Sequence, residues 1–142
     1  RDWANTSLDK ALNQADLVVS TVPDTPQTRG VFDRRRFNNF KRGSIFANFG
    51  RGSVVDDDAL ADALQSGFLR GAVIDVTRDE PLPAEHRFWR TPNLILTQHS
   101  GGGSSNELDP PMPIPMIRKL KNVFQTVLSV QSAWSKLRLI MV

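Results

Sequence analysis

The chain has 142 residues, 39% of them hydrophobic and 23% charged, and a net charge of +3, which is typical of one globular domain and excludes disordered and fibrous classes. It contains no cysteine, which excludes disulfides and thiolate metal sites, and we predict no metal site of another kind. Because it shows neither a signal-peptide pattern nor an apolar run near the roughly 20 residues of a membrane helix, we expect a cytoplasmic protein that does not bind membranes.

The first predicted elements are a helix and a strand. Thr6-Ser-Leu-Asp9 is similar to a capping box, and apolar residues at helical spacing follow it, so a short helix is predicted to run to about Ala15. Residues 17–22 form a brief apolar, β-branched run that Pro23 stops. Such a run is typical of a strand that is buried on both faces, as strands of parallel sheets are.

The next predicted element is a short helix that carries many positive charges. Asp33 can cap this helix, which extends through Phe40 and ends at Gly43. Aromatic residues among basic ones are compatible with nucleic-acid binding, but a solvated helix face is the commoner cause of such a cluster, and we expect no nucleic-acid partner. The basic residues in question are Arg34, Arg35, Arg36, Lys41 and Arg42, with a second group at Arg118, Lys119 and Lys121.

Three further strands and one helix complete the regular pattern. The helix is capped by Asp56 or Asp57 and is closed by Gly67. The strands are predicted at residues 44–48, 71–76 and 93–97. Strands that alternate with helices indicate βαβ units, so we predict an α/β fold with a parallel sheet of about four strands.

The pattern changes after residue 105. Four prolines between Asp109 and Pro115 exclude a helix or a central strand there, because proline lacks the backbone donor. Apolar residues then recur at helical spacing from Ile117 to about Leu137. We therefore divide the chain into a domain at 1–105, a proline-rich linker at 106–116, and an amphipathic C-terminal helix or tail at 117–142.

Three polar residues with catalytic potential follow predicted strands, where parallel sheets bind their ligands. Arg51 offers a planar fork of donors that can hold a carboxylate in two places. His99 can exchange a proton near neutral pH, and a carboxylate such as Glu80 would orient its ring and stabilise its protonated form. An imidazole in that role donates a proton to a carbonyl oxygen, which accelerates a reaction by about 10²–10⁴-fold.

Each of these residues also has a simpler interpretation. Glu80 lies in a charged string that is typical of an exposed turn, and Arg51 could be a surface residue. His99 could be a loop histidine with structural hydrogen bonds, and we interpret His86 in that way. Residue type alone therefore leaves both interpretations open.

The order and spacing of several motifs distinguish them. The stretch from Ala15 to about Gly102 resembles the D-isomer-specific 2-hydroxyacid dehydrogenases over roughly 90 residues. The motifs are Ala15-Asp-Leu-Val-Val-Ser-Thr-Val-Pro23 with Thr25-Pro-Gln-Thr-Arg-Gly30, Asn48-Phe-Gly-Arg-Gly52 with Val55-Asp56, Gly71-Ala-Val-Ile-Asp-Val76, Glu80-Pro-Leu-Pro83 with Phe88-Trp89, and Pro92-Asn-Leu-Ile-Leu-Thr-Gln-His99.

The resemblance implies a role for each of the three polar residues. Arg51 would hold the substrate carboxylate, His99 would be the proton donor, and Glu80 would support His99. The substrate would be a small 2-oxo or 2-hydroxy acid, and the wording around Glu80 and Trp89 is most similar to glyoxylate or hydroxypyruvate reductases. The full-length family implies a homodimer.

The resemblance also implies a nicotinamide cofactor, NAD or NADP, bound by a partial Rossmann-like, doubly wound sheet that lacks its first βαβ half. Gly-x-Gly-x-x-Gly does not occur in the 142 residues, and Gly101-Gly-Gly103 does not open a helix that could replace it. We therefore expect this chain alone to bind NAD poorly and to turn over little substrate. The implied cofactor-binding residues are Val22, Pro23, Thr28, Phe49, Gly50, Arg51, Asp75, His99 and Gly101.

Two function classes follow. The leading one is an NAD(P)-dependent oxidoreductase, of which this chain is a fragment. The alternative is an inactive remnant or a nucleotide-sensing interaction module of the same family, because the fold also serves proteins that do not catalyse. An upstream segment with the glycine motif would favour the enzyme.

Overall fold

The computed structural model describes residues 3–97, 99 and 138–142. Five parallel strands form one sheet in the order β4-β3-β2-β1-β5, so the predicted α/β class is confirmed. The strands are β1 (Leu17–Ser20), β2 (Ile45–Asn48), β3 (Gly71–Ile74), β4 (Leu94–Leu96) and β5 (Leu139–Met141), and the helices are α1 (Trp3–Leu12), α2 (Arg34–Asn38) and α3 (Asp57–Gln65).

The four predicted strands are all present, and each is shorter than its apolar run. In β1 the regular pairing stops at Ser20, because the chain turns away toward Pro23. The predicted start of the first helix is wrong: α1 begins at Trp3, not after Thr6, and ends at Leu12. A local capping signal is a weak predictor that packing overrides, and here Leu12 packs into the core at the end of the helix.

The two other helix starts follow their sequence signals. The side chain of Asp33 accepts a hydrogen bond from the backbone N–H of Arg36 at 2.8 Å, at the start of α2. Asp56, rather than Asp57, caps α3 by accepting from the N–H of Ala59 at 3.0 Å. Capping of this kind stabilises a helix by about 1 kcal/mol.

One face of the sheet carries the main core. Phe46 of β2 lies 4.8 Å from Phe32 and 5.4 Å from Phe37, measured between ring centroids. Leu60 and Leu64 of α3 are buried in the same cluster. These rings and aliphatic side chains fix α2 and α3 against the sheet, and the strand ends are positioned by them.

The basic residues of α2 are paired with acids rather than free on the surface. Arg35 and Arg36 both contact Asp9, at 2.7 and 3.2 Å. Burial raises the pKa of Asp9, but the two guanidinium groups outweigh it and hold that pKa below the usual value. The pairing accounts for this basic cluster by structure alone.

The fifth strand is an element that the sequence analysis did not predict. Residues 139–141 are not helical but pair with β1 in parallel, with Leu17 opposite Leu139 and Val19 opposite Met141. The N–H of Thr21 donates to the carbonyl of Val142 at 2.7 Å, which extends the pairing beyond the strand. The run is too short for its periodicity to distinguish helix from strand.

The predicted linker at 106–116, the predicted helix up to residue 137, and Gly101 lie outside the described residues. Among the residues that are described, no helix has the length and apolar character needed to cross a membrane.

Candidate functional site

The site lies at the carboxyl-terminal edge of the sheet, where three loops meet backbone to backbone. A Cβ atom on Gly50 would lie 2.5 Å from the carbonyl oxygen of Val22, which follows β1. A Cβ atom on Gly52 would lie 2.0 Å from the carbonyl carbon of Thr77, which follows β3. No side chain fits at either place, so these two glycines allow the loop after β2 to contact both of its neighbours.

Asn48 at the end of β2 shapes the loop that carries Arg51. Its side-chain oxygen accepts from the N–H of Gly50 at 3.1 Å, and its side-chain nitrogen donates to the carbonyl of Arg51 at 3.0 Å. Asn48 is fully buried, so both of its polar atoms are satisfied by this turn.

Glu80 and His99 form the predicted pair. Oε2 of Glu80 lies 2.9 Å from Nδ1 of His99, and the N–H of Thr77 donates to Oε1 of Glu80 at 3.0 Å. Burial raises the pKa of Glu80, but the hydrogen bonds from His99 and Thr77 outweigh it and hold this pKa below the usual value. The carboxylate therefore stays ionised and can accept a hydrogen bond only from a protonated Nδ1 of His99. Nε2 is then the ring nitrogen at which the imidazole can exchange a proton with a ligand.

The pair borders a cavity of about 330 Å³. Its side chains are about half exposed, 46% for His99 and 41% for Glu80, so both can reach a ligand in the cavity. One wall is apolar and includes Leu82 and Trp89. The remaining lining residues are Asp75, Thr77, Pro81, Leu96 and Thr97.

Asp75 joins the end of β3 to His99. Its carbonyl accepts from the N–H of His99 at 2.8 Å, and its carboxylate accepts a short hydrogen bond from the hydroxyl of Thr97. Asp75 is only 3% exposed, whereas Arg78, Asp79 and Glu80 further along the loop are exposed. A buried carboxylate at this edge is an acceptor that is held in one orientation.

Arg51 lies on the β1 side of the edge. Its Nη1 donates to the carbonyl of Gly50 at 2.8 Å, and its charge contributes to lowering the pKa of Asp24, for which the hydrogen bond from Arg29 is the largest cause. The structure thus brings Glu80 and His99 into contact, whereas the guanidinium of Arg51 contacts its own loop.

The other predicted cofactor-binding residues flank Arg51. Thr28 closes the loop after β1, since its hydroxyl donates to the carbonyl of Pro23 at 2.6 Å and accepts from the N–H of Thr25 at 2.9 Å. Val22 approaches Gly50 through its backbone, and Phe49 is 41% exposed at the same edge.

His99 has a backbone conformation that its sequence context does not reveal. Its φ angle is 52°, in the left-handed region that residues other than glycine rarely occupy. Such a conformation costs about 1–3 kcal/mol and is commonest at functional sites. His86, by contrast, has an ordinary φ angle of -58°.

His86 belongs to a second pair that sequence reasoning did not find. Its Nε2 lies 3.5 Å from Oδ2 of Asp57, the first residue of α3, and its Nδ1 accepts from the N–H of Phe88. Burial raises the pKa of Asp57 to about 6, although His86 and Arg78 lower it in part. The prediction that His86 is a loop histidine with structural contacts agrees with these hydrogen bonds.

In the described ranges, no group of three or more acidic or histidine side chains is placed to hold a metal ion.

Residues 2–101 match a family described as D-isomer specific 2-hydroxyacid dehydrogenase, NAD binding domain. The chain is 41% identical over 103 residues to D-3-phosphoglycerate dehydrogenase of Haemophilus influenzae, with 70% of this chain and 25% of that protein covered.

Glyoxylate/hydroxypyruvate reductase B of Citrobacter koseri is 40% identical over 97 residues, which cover 68% of this chain and 30% of the reductase. The crystal structure of NADPH-dependent glyoxylate/hydroxypyruvate reductase from Sinorhizobium meliloti, in apo form, is similar with a TM-score of 0.66 at 37% identity, covering 72% of this chain and 53% of that one. The chain thus spans about a quarter to a third of the curated relatives named above.

Proposed function

Because this chain belongs to the D-isomer specific 2-hydroxyacid dehydrogenase family, we propose that it supplies the substrate-side half of an active site that reduces a 2-oxo acid or oxidises a D-2-hydroxy acid. The observation that carries the proposal is the 2.9 Å contact between Glu80 and His99 at the edge of a cavity. The complete protein would act in the cytoplasm as a homodimer.

His99 would exchange the proton in this reaction. With Nδ1 directed to Glu80, a protonated imidazole can donate from Nε2 to the carbonyl oxygen of the substrate. Glu80 keeps the ring in that orientation and stabilises its positive charge, and because its own pKa is lowered it does not take the proton. The same contacts serve oxidation in reverse, when neutral Nε2 accepts the hydroxyl proton.

Arg51 would hold the carboxylate of the substrate. A guanidinium can donate two parallel hydrogen bonds to a carboxylate, and it keeps its charge at every working pH. In this structure Nη1 donates to the carbonyl of Gly50, so binding would replace that contact with one to the substrate.

The residues at this edge fit the nicotinamide part of NAD or NADP. Asp75 offers a buried acceptor that suits a carboxamide, and the exposed ring of Phe49 and the side chain of Val22 offer apolar surface. When bound, the cofactor supplies or accepts the hydride. The glycine motif that would hold its pyrophosphate does not occur in the printed sequence, which supports our expectation of weak NAD binding by this chain alone.

Glyoxylate or hydroxypyruvate is the proposed substrate. Two of the three relatives named above carry both substrate names, whereas the third is a phosphoglycerate dehydrogenase. The motif around Glu80 and Trp89 supports the same choice, since it contributes both the acidic residue and part of the cavity wall.

The test uses the two histidines of the chain, of which His86 is an internal control. Hydroxypyruvate or glyoxylate is added while the imidazole resonances are followed by NMR. We expect the His99 resonances to move and those of His86 to stay, and we expect Arg51→Gln to weaken binding by roughly tenfold or more through the loss of charge-assisted hydrogen bonds. Glycolaldehyde, which lacks the carboxylate, should have little effect. Equal movement of both histidines, or of neither, would contradict the proposal.

The second candidate is a nucleotide-sensing module without turnover, and one observation favours it. β5 pairs with the outer edge of β1, the edge at which a doubly wound sheet continues into its other half. In this structure that edge is therefore already paired within the chain. Calorimetric titration with NADH separates the candidates: the enzyme fragment binds weakly, whereas a self-sufficient nucleotide sensor would bind in the micromolar range.

A further inference from the structure

The loop that carries Glu80 is fastened to α3 by two consecutive side chains at its far end. Nη1 of Arg87 lies 2.8 Å from Oδ1 of Asp58, and its Nη2 lies 2.7 Å from Oδ1 of Asp62. The preceding residue, His86, faces Asp57 at 3.5 Å. We call these five residues, two from the loop and three from the helix, the α3 clamp.

The geometry of the α3 clamp is that of a fork across one helical turn. Asp58 and Asp62 are four residues apart, so they lie on one face of α3, and one guanidinium reaches both. A lysine could reach only one carboxylate at a time, because its ammonium is a single point of charge. Arg87 is two-thirds buried at this position, which restricts its alternative conformations.

Asp57 gives the α3 clamp a partly buried second contact. Its carboxylate faces His86 and Arg78 from the loop and lies beside Asp56 and Asp58 of its own helix end. Only a fifth of the Asp57 side chain is exposed, compared with 73% for Asp58. The histidine therefore covers a carboxylate that few waters can reach.

The α3 clamp is linked to Glu80 through Pro83. The N–H of His86 donates to the carbonyl of Pro83 at 3.0 Å, and Nε1 of Trp89 donates to the same carbonyl at 2.8 Å. Two residues separate Pro83 from Glu80, and one of them, Leu82, lines the same cavity as Glu80. Movement of the clamped end would thus be transmitted to the carboxylate over a short, closely held segment.

We propose that Arg87 and His86 are positioning residues, which hold Glu80 within hydrogen-bond distance of His99 by fastening its loop to α3. This inference deepens the proposed function and rests on it for its catalytic meaning. The competing explanation is that the buried ring of Phe88 holds the loop alone and that the ion pairs add nothing, as many surface pairs do.

The test measures the Glu80 carboxyl directly, without cofactor or substrate, so it can fail independently of the proposed function. Carbon-detected NMR titration gives the pKa of Glu80 in the 142-residue chain. In Arg87→Gln we expect this pKa to rise toward the ordinary value, because the loop no longer holds Glu80 against His99. His86→Gln should shift it in the same direction.

Arg34→Gln is the matched control. Arg34 of α2 contacts the other oxygen of Asp62 at 2.8 Å, so this change removes an ion pair from the same carboxylate but leaves the loop untouched. The Glu80 pKa should stay as in the unchanged chain. Arg87→Lys keeps one ion pair and should give an intermediate pKa, which tests the proposal if Arg87→Gln does not fold. An unchanged Glu80 pKa in both Arg87 variants, or an equal shift in Arg34→Gln, would overturn the proposal.

Discussion

Two imidazole–carboxylate pairs in one chain differ in their access to solvent and in their geometry. Glu80 and His99 are about half exposed, are 2.9 Å apart and border a cavity. Asp57 and His86 are about four-fifths buried and 3.5 Å apart, between a loop and a helix end. Both pairs join an imidazole to a carboxylate, so they differ in access to a cavity and in the left-handed backbone of His99 rather than in their chemical groups.

The pKa values of the two carboxyl groups are also shifted in opposite directions. The pKa of Asp57 rises to about 6 because burial is the dominant influence, whereas hydrogen bonds hold the pKa of Glu80 below its usual value. A buried carboxylate near a histidine is thus not by itself a strong partner for it. The difference teaches that the direction of the pKa shift depends on the balance between burial and hydrogen bonds to the charged form.

The largest expected loss of stability comes from a substitution next to the loop that carries Glu80. In Gly52→Ala, the new methyl group would lie 2.0 Å from the carbonyl carbon of Thr77, which is backbone and cannot turn aside. The turn that presents Glu80 must then move. We expect the free energy of unfolding, measured in urea, to fall by about 3 kcal/mol.

Gly67→Ala is the control for that substitution. Gly67 has a φ angle of 69° but nothing within 4 Å of the added atom, so only the backbone conformation is penalised, by about 1–2 kcal/mol. If the two variants lose the same stability, the close approach of the loops does not hold the site together.

The second expected effect concerns Asp57, at the start of α3, and the pH dependence of stability. Because the folded chain binds a proton at Asp57 more tightly than the unfolded chain does, its stability falls as the pH rises from the ordinary value of 3.8 to about 6. The start of α3 favours the ionised form and offsets part of this penalty. We therefore expect the free energy of unfolding of Asp57→Asn, relative to that of the unchanged chain, to rise by about 1–2 kcal/mol as the pH increases from about 4 to about 7.

Unfolding in urea at several pH values measures the gain. Asp58→Asn serves as the comparison, since Asp58 is 73% exposed and lies one residue away. A pH profile of stability that is the same in Asp57→Asn and in the unchanged chain would show that Asp57 is not desolvated.

The smallest effect concerns Glu80. A pair with about two-fifths of its surface in water contributes little, so Glu80→Gln should change the free energy of unfolding by less than about 0.5 kcal/mol near neutral pH. The lowered pKa of Glu80 gives a contribution that is present above its usual value of 4.5 and is lost as the pH falls below it. The difference between variant and unchanged chain should accordingly disappear in acid. A large loss at neutral pH would make Glu80 a structural residue.

The sequence indicated the contact between Glu80 and His99 more clearly than the contacts that surround it. Strand periodicity placed Glu80 and His99 at the same edge of the sheet, and the structure brings them into contact. The pairing of Asp57 with His86 has no local sequence signal, since it depends on how a loop crosses a helix. The left-handed backbone of His99 was not predicted either. The approach of Gly52 to Thr77 depends likewise on the spacing of two strands.

The fifth strand shows the same limit for the fold. Leu139–Met141 is only three residues long and lies far along the chain from its partner, so neither periodicity nor neighbouring elements identify it. By contrast, the order of β1 to β4 in the sheet follows their order in the chain. Sequence patterns predict this regular part well because each connection there is shorter than the stretch between β4 and β5.

The pairing of β1 with β5 has a consequence for biosynthesis. Thr21 and Val142, which close that pairing, are separated by 121 residues. A ribosome delivers β1 to β4 before residues 138–142 emerge, so β5 cannot cover the outer edge of β1 while the rest of the sheet is being made. Since contacts between distant residues form slowly, we expect β5 to join the sheet after β1 to β4 have paired with one another.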